Sequence, residues 1–311
     1  MPPVDRNNPK RAKSSESEFS LMEFMQQYPD DAACLEALWR KRYSSDGDHA
    51  HCPTCETERV FKRYDTKQQR QSWSCTACAH KLHPTAGTIF HKSSTSLHLW
   101  FYAMYLMAST RCGISAKQLE RELGVTYKTA WRMANLIRNE LMADDGEPLA
   151  GPVEMDEAYI GGKERGVGAG RPGKNSKKTA VFGMVERKGR VKAMPVANVS
   201  GSTLLPIITQ KVLPRSLIYT DDMGGYHQLP KHGYAHRRIH HSEKVYVSGD
   251  IHTNTIEGFW SLLKRGIDGV YHAVSAKHLQ GYLNEYVWRY NQRLVPEARF
   301  EVLLGRAALG S

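Results

Sequence analysis

Hydrophobic positions in the first half of the chain recur mainly at helical spacing. Apolar residues between positions 19 and 43 predict two short helices that break at Tyr28-Pro29, because the residue before a proline disfavours helical geometry. A second stretch, residues 97–142, begins with an apolar stripe from Leu97 to Ala108 that predicts a buried helix. The remainder of that stretch predicts two shorter helices.

These two shorter helices have the pattern of a helix-turn-helix. Ser115, with Gln118 three residues later, has the form of a capping box, and Gly124 ends the first helix. The second helix begins at Thr126 and is predicted to turn basic and polar residues outward. Any small helical bundle is the alternative interpretation. The candidate DNA-contacting residues on this helix are Lys128, Thr129 and Arg132.

Strand patterns dominate the second half of the chain. Residues 152–160 form an apolar run that is closed by two glycines and contains Glu154, Asp156 and Glu157. A buried carboxylate must be paired, protonated or bound to a metal, and the run itself contains no basic residue. One or two of these acids pointing to water is the alternative. Further elements are predicted as strands at 181–185, 191–199 and 217–222 and a helix at 202–212.

Four of the six cysteines form two pairs with the spacing of a zinc ribbon. Each pair is a CxxC motif, and nineteen residues separate the two. Two such motifs can place four thiolates around one tetrahedral Zn²⁺, which is structural rather than catalytic. A disulfide pair is the weaker alternative. The predicted zinc ligands are Cys52, Cys55, Cys75 and Cys78.

The charge of the chain indicates a polyanionic partner. The 311 residues carry a formal net charge of +11, and we expect nucleic acid rather than a membrane surface, because no amphipathic basic helix or lipid motif accompanies this charge. The sequence also contains no apolar run of membrane-spanning length. We also expect a cytoplasmic, nucleoid-associated protein of a bacterial cell. The Gly-rich segment 161–178 is predicted to close on a phosphate backbone. Its basic residues are Lys163, Arg165, Arg171, Lys174, Lys177 and Lys178.

An amphipathic helix predicted over residues 252–265 carries a third acid. Glu257 follows Asp221, which ends the predicted strand 217–222, after thirty-five intervening residues, and Lys264 lies two helical turns beyond Glu257. The alternative is that Asn254 and Glu257 form a capping box. Histidines scattered over residues 227–252 are interpreted as surface or phosphate-contacting groups rather than a metal site.

Five short motifs together resemble one family. They begin at Glu154, Thr220, Thr253, Lys264 and Arg289, and they read EMDE, TD, TNTIEGFW, KR and RYNQR. This set, with the double CxxC motif, resembles the ISXO2-like (IS1595-type) DDE transposases of insertion sequences over residues 19–295. The resemblance implies an α/β fold, in which a zinc ribbon and a helix-turn-helix domain precede an RNase H-like mixed-sheet catalytic core.

The resemblance also implies the chemistry. Asp156, Asp221 and Glu257 would hold two Mg²⁺ or Mn²⁺ ions, with Lys264 beside a DNA phosphate. Asp221 is chosen over the adjacent Asp222 because it follows threonine, as in the family motif. The implied activity is binding of terminal inverted repeats, 3′-end cleavage and strand transfer into target DNA by at least a dimer. Alternatives are a purely hydrolytic nuclease and a DNA-binding regulator with a degenerate catalytic domain.

The predicted domain order follows from these elements. We expect a disordered tail, a helical lead-in with the zinc ribbon, the helix-turn-helix domain, the catalytic domain with its basic insertion, and a C-terminal tail. The corresponding residues are 1–18, 19–92, 93–148, 149–295 (insertion 161–178) and 296–311.

Overall fold

The computed structural model describes residues 19–64, 72–161, 178–221, 224–238, 253–295 and 297–310. The chain divides into two compact units, residues 1–110 with 296–311 and residues 111–295. The domain boundaries proposed from the sequence stay predictions. Among the described residues, no helix is long and apolar enough to cross a membrane.

The secondary-structure elements are named here in chain order. The α-helices are α1 (Leu21–Gln27), α2 (Asp31–Arg42), α3 (Leu97–Ser109), α4 (Ala116–Leu123), α5 (Tyr127–Leu136), α6 (Gly201–Lys211), α7 (Asn254–Gly266), α8 (Leu279–Asn291) and α9 (Arg299–Leu309). The strands are β1 (His49–Cys52), β2 (Thr57–Tyr64), β3 (Ser72–Cys75), β4 (Lys81–Leu82), β5 (Pro152–Ile160), β6 (Thr179–Glu186), β7 (Val191–Val196), β8 (Leu217–Thr220) and β9 (Ala235–Arg238).

Aromatic packing holds together the helices of the first unit. Helices α1 and α2 are separated at Tyr28, as the following proline predicts. Phe24 is buried among other aromatic rings, including that of Phe300, which lies 5.6 Å away by ring centroids. Phe300 belongs to α9, so residues 297–310, which we expected to belong to a tail, include a packed helix. A packed helix was not predicted from this short apolar stretch.

The zinc ribbon in the same unit is a four-stranded antiparallel sheet in the order β1-β2-β3-β4. Trp73 on β3 stacks on Trp39 of α2, with ring centroids 4.7 Å apart and planes nearly parallel. The indole N–H of Trp39 donates to the carbonyl of Gly47 at 2.7 Å, which satisfies the polar atom of this buried ring. The ribbon is therefore attached to α2 by an aromatic pair.

The second unit begins with the predicted helix-turn-helix. Ser115 accepts a hydrogen bond from the Gln118 N–H, Thr126 accepts one from the Thr129 N–H, and Gly124 adopts a left-handed φ of 62° between the helices. The chain continues from α5 through a π-helical turn, where buried Arg138 donates to Glu285 of α8 at 2.7 Å. Because Glu285 is fully buried and also bound by Arg289, this ion pair fastens the helix-turn-helix extension to α8.

A mixed five-stranded sheet forms the centre of the second unit. Its strand order is β7-β6-β5-β8-β9. Within β7-β6-β5 each strand is antiparallel to its neighbour, and β8 and β9 run parallel to β5. This is the RNase H-like arrangement, and it places β5 at the middle of the sheet.

The two faces of β5 pack into different hydrophobic cores. Ala158 and Ile160 face a core that contains residues of α7 and α8, whereas Val153 and Met155 face a core that contains α6. Because side chains alternate along a strand, the even-numbered acids of β5 share the face of α7. This alternation places the side chains of Asp156 and Glu157 on opposite faces of β5. The prediction from the sequence did not assign the two acids to different faces.

Candidate active site and zinc site

Asp156 lies on β5 just beyond its last residue paired with β8, and Asp221 directly follows the end of β8. Glu154 of β5 is in parallel register with Tyr219 of β8, so two further residues along each strand lead to Asp156 and Asp221. The ladder between the strands stops before that point, and Asp221 directly follows the end of β8. Carboxyl ends of parallel strands at such an opening are where α/β sheets place ligand-binding groups.

Glu257 approaches the same place from the first turn of α7. This helix packs on β5 and β6, and the hydroxyl of Thr253 donates to the Glu257 carboxylate at 3.1 Å. Helix α7 begins at Asn254, which is therefore inside the helix rather than at its cap. The capping-box interpretation of Asn254 and Glu257 is wrong, because another acid occupies the helix start.

The electrostatics of Asp156 show that both of the other acids act on it. Burial raises the pKa of Asp156, and the charges of Asp221 and Glu257 raise it further. Hydrogen bonds from the Glu157 N–H and the Trp260 indole oppose this shift. Three mutually repelling carboxylates with hard oxygen atoms form a donor set that fits divalent cations such as Mg²⁺.

Among the described residues, the four ribbon cysteines form the one group of three or more potential ligands whose donor atoms all lie within 4.8 Å of one another. The three carboxylates do not form such a group.

Glu154 anchors the start of α7. Its side chain is fully buried, and one oxygen accepts from the N–H groups of Thr255 at 2.9 Å and Ile256 at 3.1 Å. The other oxygen accepts from the Thr255 hydroxyl at 3.0 Å and the Arg187 guanidinium at 2.9 Å. A carboxylate at a helix N-terminus satisfies free N–H groups and interacts favourably with the helix dipole.

The roles of Glu154 and Trp260 were not predicted from the sequence. A partner for Glu154 was expected from elsewhere in the fold or from a bound cation, and the partners are Arg187, 33 residues later, and Thr255, 101 residues later. The Trp260 indole donates to Asp156 at 3.0 Å. In the sequence, Trp260 is part of the motif TNTIEGFW. Its spacing of three residues from Glu257 indicates that both side chains lie on one face of the helix.

Glu157 is adjacent to Asp156 in the sequence, but its side chain leaves β5 on the opposite face. The hydroxyl of buried Tyr226, which belongs to the core on the α6 face, donates to the Glu157 carboxylate. Burial raises the pKa of Tyr226 well above its usual value, and the charge of Glu157 adds to this effect. The Tyr226 hydroxyl therefore stays protonated and keeps donating to Glu157.

The remaining predicted residues are placed as follows. Lys264 is exposed in the last turn of α7, about 10 Å along the helix from Glu257 at 1.5 Å per residue.

Lys128 and Arg132 are exposed on α5, whereas Thr129 is half-buried and its hydroxyl contacts that of Thr126. Lys178 is half-buried at the start of the described segment. Other predicted positions lie outside the described residues: Lys163, Arg165, Arg171, Lys174, Lys177, Asp222 and the histidine-rich residues 239–252.

The four predicted zinc ligands come together in the ribbon. Cys52 ends β1 and Cys75 ends β3, and each CxxC turn is followed by a residue with left-handed φ, Glu56 and Ala79. The four sulfurs lie within 4.8 Å of one another. Burial raises the pKa of Cys75, but N–H donors in its turn outweigh burial and lower this pKa to about 7. The site fits a structural Zn²⁺ bound by four thiolates.

Comparison with known proteins identifies relatives among mobile elements. Residues 148–291 match the family model of the ISXO2-like transposase domain. A protein in transposable element ISH50 of Halobacterium salinarum is 29% identical over 253 residues, which cover 77% of this chain and 84% of that protein. A transposase-like protein of Haemophilus influenzae is 36% identical over 104 residues, which cover 33% of this chain and 83% of that protein.

Two solved structures were also matched. The pre-cleavage Mos1 transpososome is 14% identical, with a TM-score of 0.27, over 66% of this chain and 76% of that chain. The Mos1 transposase paired-end complex is 13% identical, with a TM-score of 0.28, over 67% of this chain and 78% of that chain.

Proposed function

The chain belongs to the ISXO2-like family of insertion-sequence transposases, and on that premise we propose that it cleaves the 3′ ends of its element and joins them to target DNA. Asp156, Asp221 and Glu257 are the proposed metal ligands and Lys264 the proposed phosphate contact. The observation that carries this proposal is that half-buried Asp156 lies on the central strand β5, beside the end of β8 where Asp221 follows, with the charges of Asp221 and Glu257 acting on it.

The residues of this chain have distinct roles in the proposed reaction. Two Mg²⁺ ions, when bound, activate the attacking oxygen and stabilise the leaving oxygen of a phosphodiester. Asp156, Asp221 and Glu257 would hold these ions through their carboxylate oxygens. Lys264, which is exposed two turns along α7, would bind a DNA phosphate as a point charge. Water attacks the phosphorus at the element end and breaks its bond to the 3′-oxygen, which leaves as a 3′-hydroxyl. This hydroxyl then attacks a phosphodiester of the target strand, forms a new bond to its phosphorus and releases a 3′-hydroxyl of the target.

The zinc ribbon and the helix-turn-helix are proposed to hold the element ends. Lys128 and Arg132 are exposed on α5, the helix that such motifs insert into the major groove. The basic residues predicted in segment 161–178 would add phosphate contacts. Joining two ends in a coordinated way needs two active sites, so we propose an assembly of at least two copies.

The test uses double-stranded DNA that carries the ends of the source element, supplied intact or already nicked, with a supercoiled target plasmid and Mg²⁺ or Mn²⁺. We expect target-joined products from the wild-type chain. The joining rate of Asp156→Asn should be lower by at least about a hundredfold, which is the size of loss that follows removal of a principal electrostatic contributor. Asp221→Asn and Glu257→Gln should behave similarly. The Asp222→Asn variant, assayed in parallel, tests whether Asp221 or Asp222 is the metal ligand.

Glu157→Gln is the matched control for these variants. It changes the acid adjacent to Asp156, but on the opposite face of β5, and it retains an oxygen that accepts from Tyr226. We expect near-normal joining. Cleaved ends without joined products would support a hydrolytic nuclease instead, and an Asp156→Asn variant as active as wild type would refute the assignment of the site.

A further inference from the structure

The indole ring of Trp260 lies against the candidate active site and forms a specific polar contact there. Trp260 is on α7, one turn beyond Glu257, and is only 4% exposed. Its Nε1–H donates to Oδ2 of Asp156 at 3.0 Å. Most of the ring packs in the hydrophobic core between α7, α8 and the sheet, so the contact is made by the polar edge of a buried side chain.

The strand opposite Asp156 has no side chain where this ring lies. Gly183 of β6 is the direct register partner of Asp156. A Cβ at position 183 would lie 2.4 Å from Cζ2 and 2.6 Å from Cη2 of Trp260, closer than Cβ atoms approach other atoms in folded proteins. Gly183 therefore leaves the volume that the indole occupies, and the ring has little freedom to move away from Asp156.

An indole N–H is suited to orienting a carboxylate without neutralising it. It is a donor only, it carries no charge, and it does not compete as a metal ligand. A lysine or arginine in the same place would pair with Asp156 and oppose cation binding. Trp260 binds one lone pair of Oδ2, and so it fixes the carboxylate orientation while the negative charge remains available to a cation. Groups that orient metal ligands in this way typically change metal affinity by about 10–100-fold when removed.

We propose that Trp260 is a positioning residue, which holds the Asp156 carboxylate in the orientation that binds divalent cations, in a slot that Gly183 keeps open. The inference rests on the proposed function, because it takes Asp156 as a metal ligand. It explains why a tryptophan follows Glu257 on α7 at this spacing and why the strand facing Asp156 carries a glycine.

The structure supplies a matched control tryptophan. Trp288 of α8 is 3% exposed, in the same unit, and its Nε1 has no hydrogen-bond partner among the described residues. Trp288→Phe and Trp260→Phe thus each remove one buried indole, but only the second removes a donor to Asp156. Replacement of Trp260 by benzothienyl-alanine keeps two fused rings and exchanges the N–H for sulfur, so it separates loss of the hydrogen bond from loss of volume.

The experiment measures Mn²⁺ binding to the full-length, zinc-loaded chain, with free Mn²⁺ counted by electron paramagnetic resonance. We expect Trp260→Phe and the benzothienyl variant to weaken the site by about 10–100-fold and Trp288→Phe to bind like the wild type. Gly183→Ala, which displaces the ring, should weaken binding in the same direction. Tryptophan emission provides a second readout, since Mn²⁺ near Trp260 should quench part of it in the wild type and in Trp288→Phe but not in Trp260→Phe.

Asp156→Asn distinguishes the two possible failures. If Asp156→Asn loses Mn²⁺ binding while both Trp260 variants retain wild-type affinity, Asp156 is a ligand and the role of Trp260 is wrong. If Asp156→Asn itself binds Mn²⁺ like the wild type, the proposed metal site is wrong and the inference fails with it. A Trp260→Phe chain that is only less stable, with unchanged Mn²⁺ affinity, would show a purely structural role and would also overturn the inference.

Discussion

Replacing Glu154 by glutamine tests whether this buried acid fixes the start of α7. The carboxylate accepts four hydrogen bonds, two at each oxygen, from Thr255, Ile256 and Arg187. Glutamine retains one acceptor oxygen and turns an NH₂ group toward two donors. The substitution is nearly isosteric, so its effect reports hydrogen bonding and charge rather than a cavity.

The expected loss of stability follows from the groups left without an acceptor. An unsatisfied buried donor costs about 1–3 kcal/mol, but the Thr255 hydroxyl can rotate and Arg187 is 17% exposed, so both recover part of the loss. We estimate a net loss of about 3 kcal/mol, at the lower end of the range for breaking a buried ion pair. For a unit of this size, that corresponds to an unfolding midpoint lower by about 6–12 °C.

The assay is thermal and urea unfolding of the zinc-loaded chain, with amide hydrogen exchange at residues 255 and 256. Thr255→Val removes one donor and should lower stability by about 1 kcal/mol. Glu147→Gln alters a glutamate whose side chain is 73% exposed and 3.7 Å from Arg190, and it should change stability by less than about 0.5 kcal/mol. An unfolding midpoint of Glu154→Gln that equals that of Glu147→Gln, with unchanged exchange at 255 and 256, would refute the anchoring role.

Three further predictions concern the remaining structure. Cys52→Ser should reduce bound zinc from about one ion per chain toward zero, as measured by elemental analysis, and should remove the near-ultraviolet dichroism of the stacked Trp39–Trp73 pair. Arg138→Met leaves buried Glu285 with Arg289 but without Arg138, and it should destabilise the chain by about 3–5 kcal/mol in urea unfolding. Asn291→Ala removes two hydrogen bonds to the backbone of Val191 on the edge strand β7 and should accelerate amide exchange there.

The features that the sequence predicted well depend on local spacing. Two CxxC motifs specify the zinc knuckles almost without reference to the remaining fold, and the sulfurs meet as predicted. Caps at Ser115 and Thr126 and the left-handed Gly124 also depend on neighbours within four residues. Such features form from contacts that are close in sequence, so a pattern of residue types is sufficient to predict them.

The features that escaped prediction depend on contacts between distant segments. Nothing near Glu154 in the sequence indicates that Arg187 and Thr255 would reach it, or which hydrophobic core each face of β5 would meet. The helix α9 was expected to be a tail because its apolar residues have partners only far away in the sequence. The spacing of Asp156, Asp221 and Glu257 supported an expectation of convergence through family resemblance, but it did not specify which strand face they share.

Two contacts of matched spacing fix α7 along β5. On the strand, Glu154 and Asp156 are two residues apart and lie on one face, a separation of about 6.6 Å at 3.3 Å per residue. On the helix, their partners Ile256 and Trp260 are four residues apart, about 6 Å at 1.5 Å per residue. Strand and helix are therefore joined at two points of α7. Glu257 lies between the two attachment points on α7, so the same pair of contacts that orders the helix also holds the third acid beside Asp156.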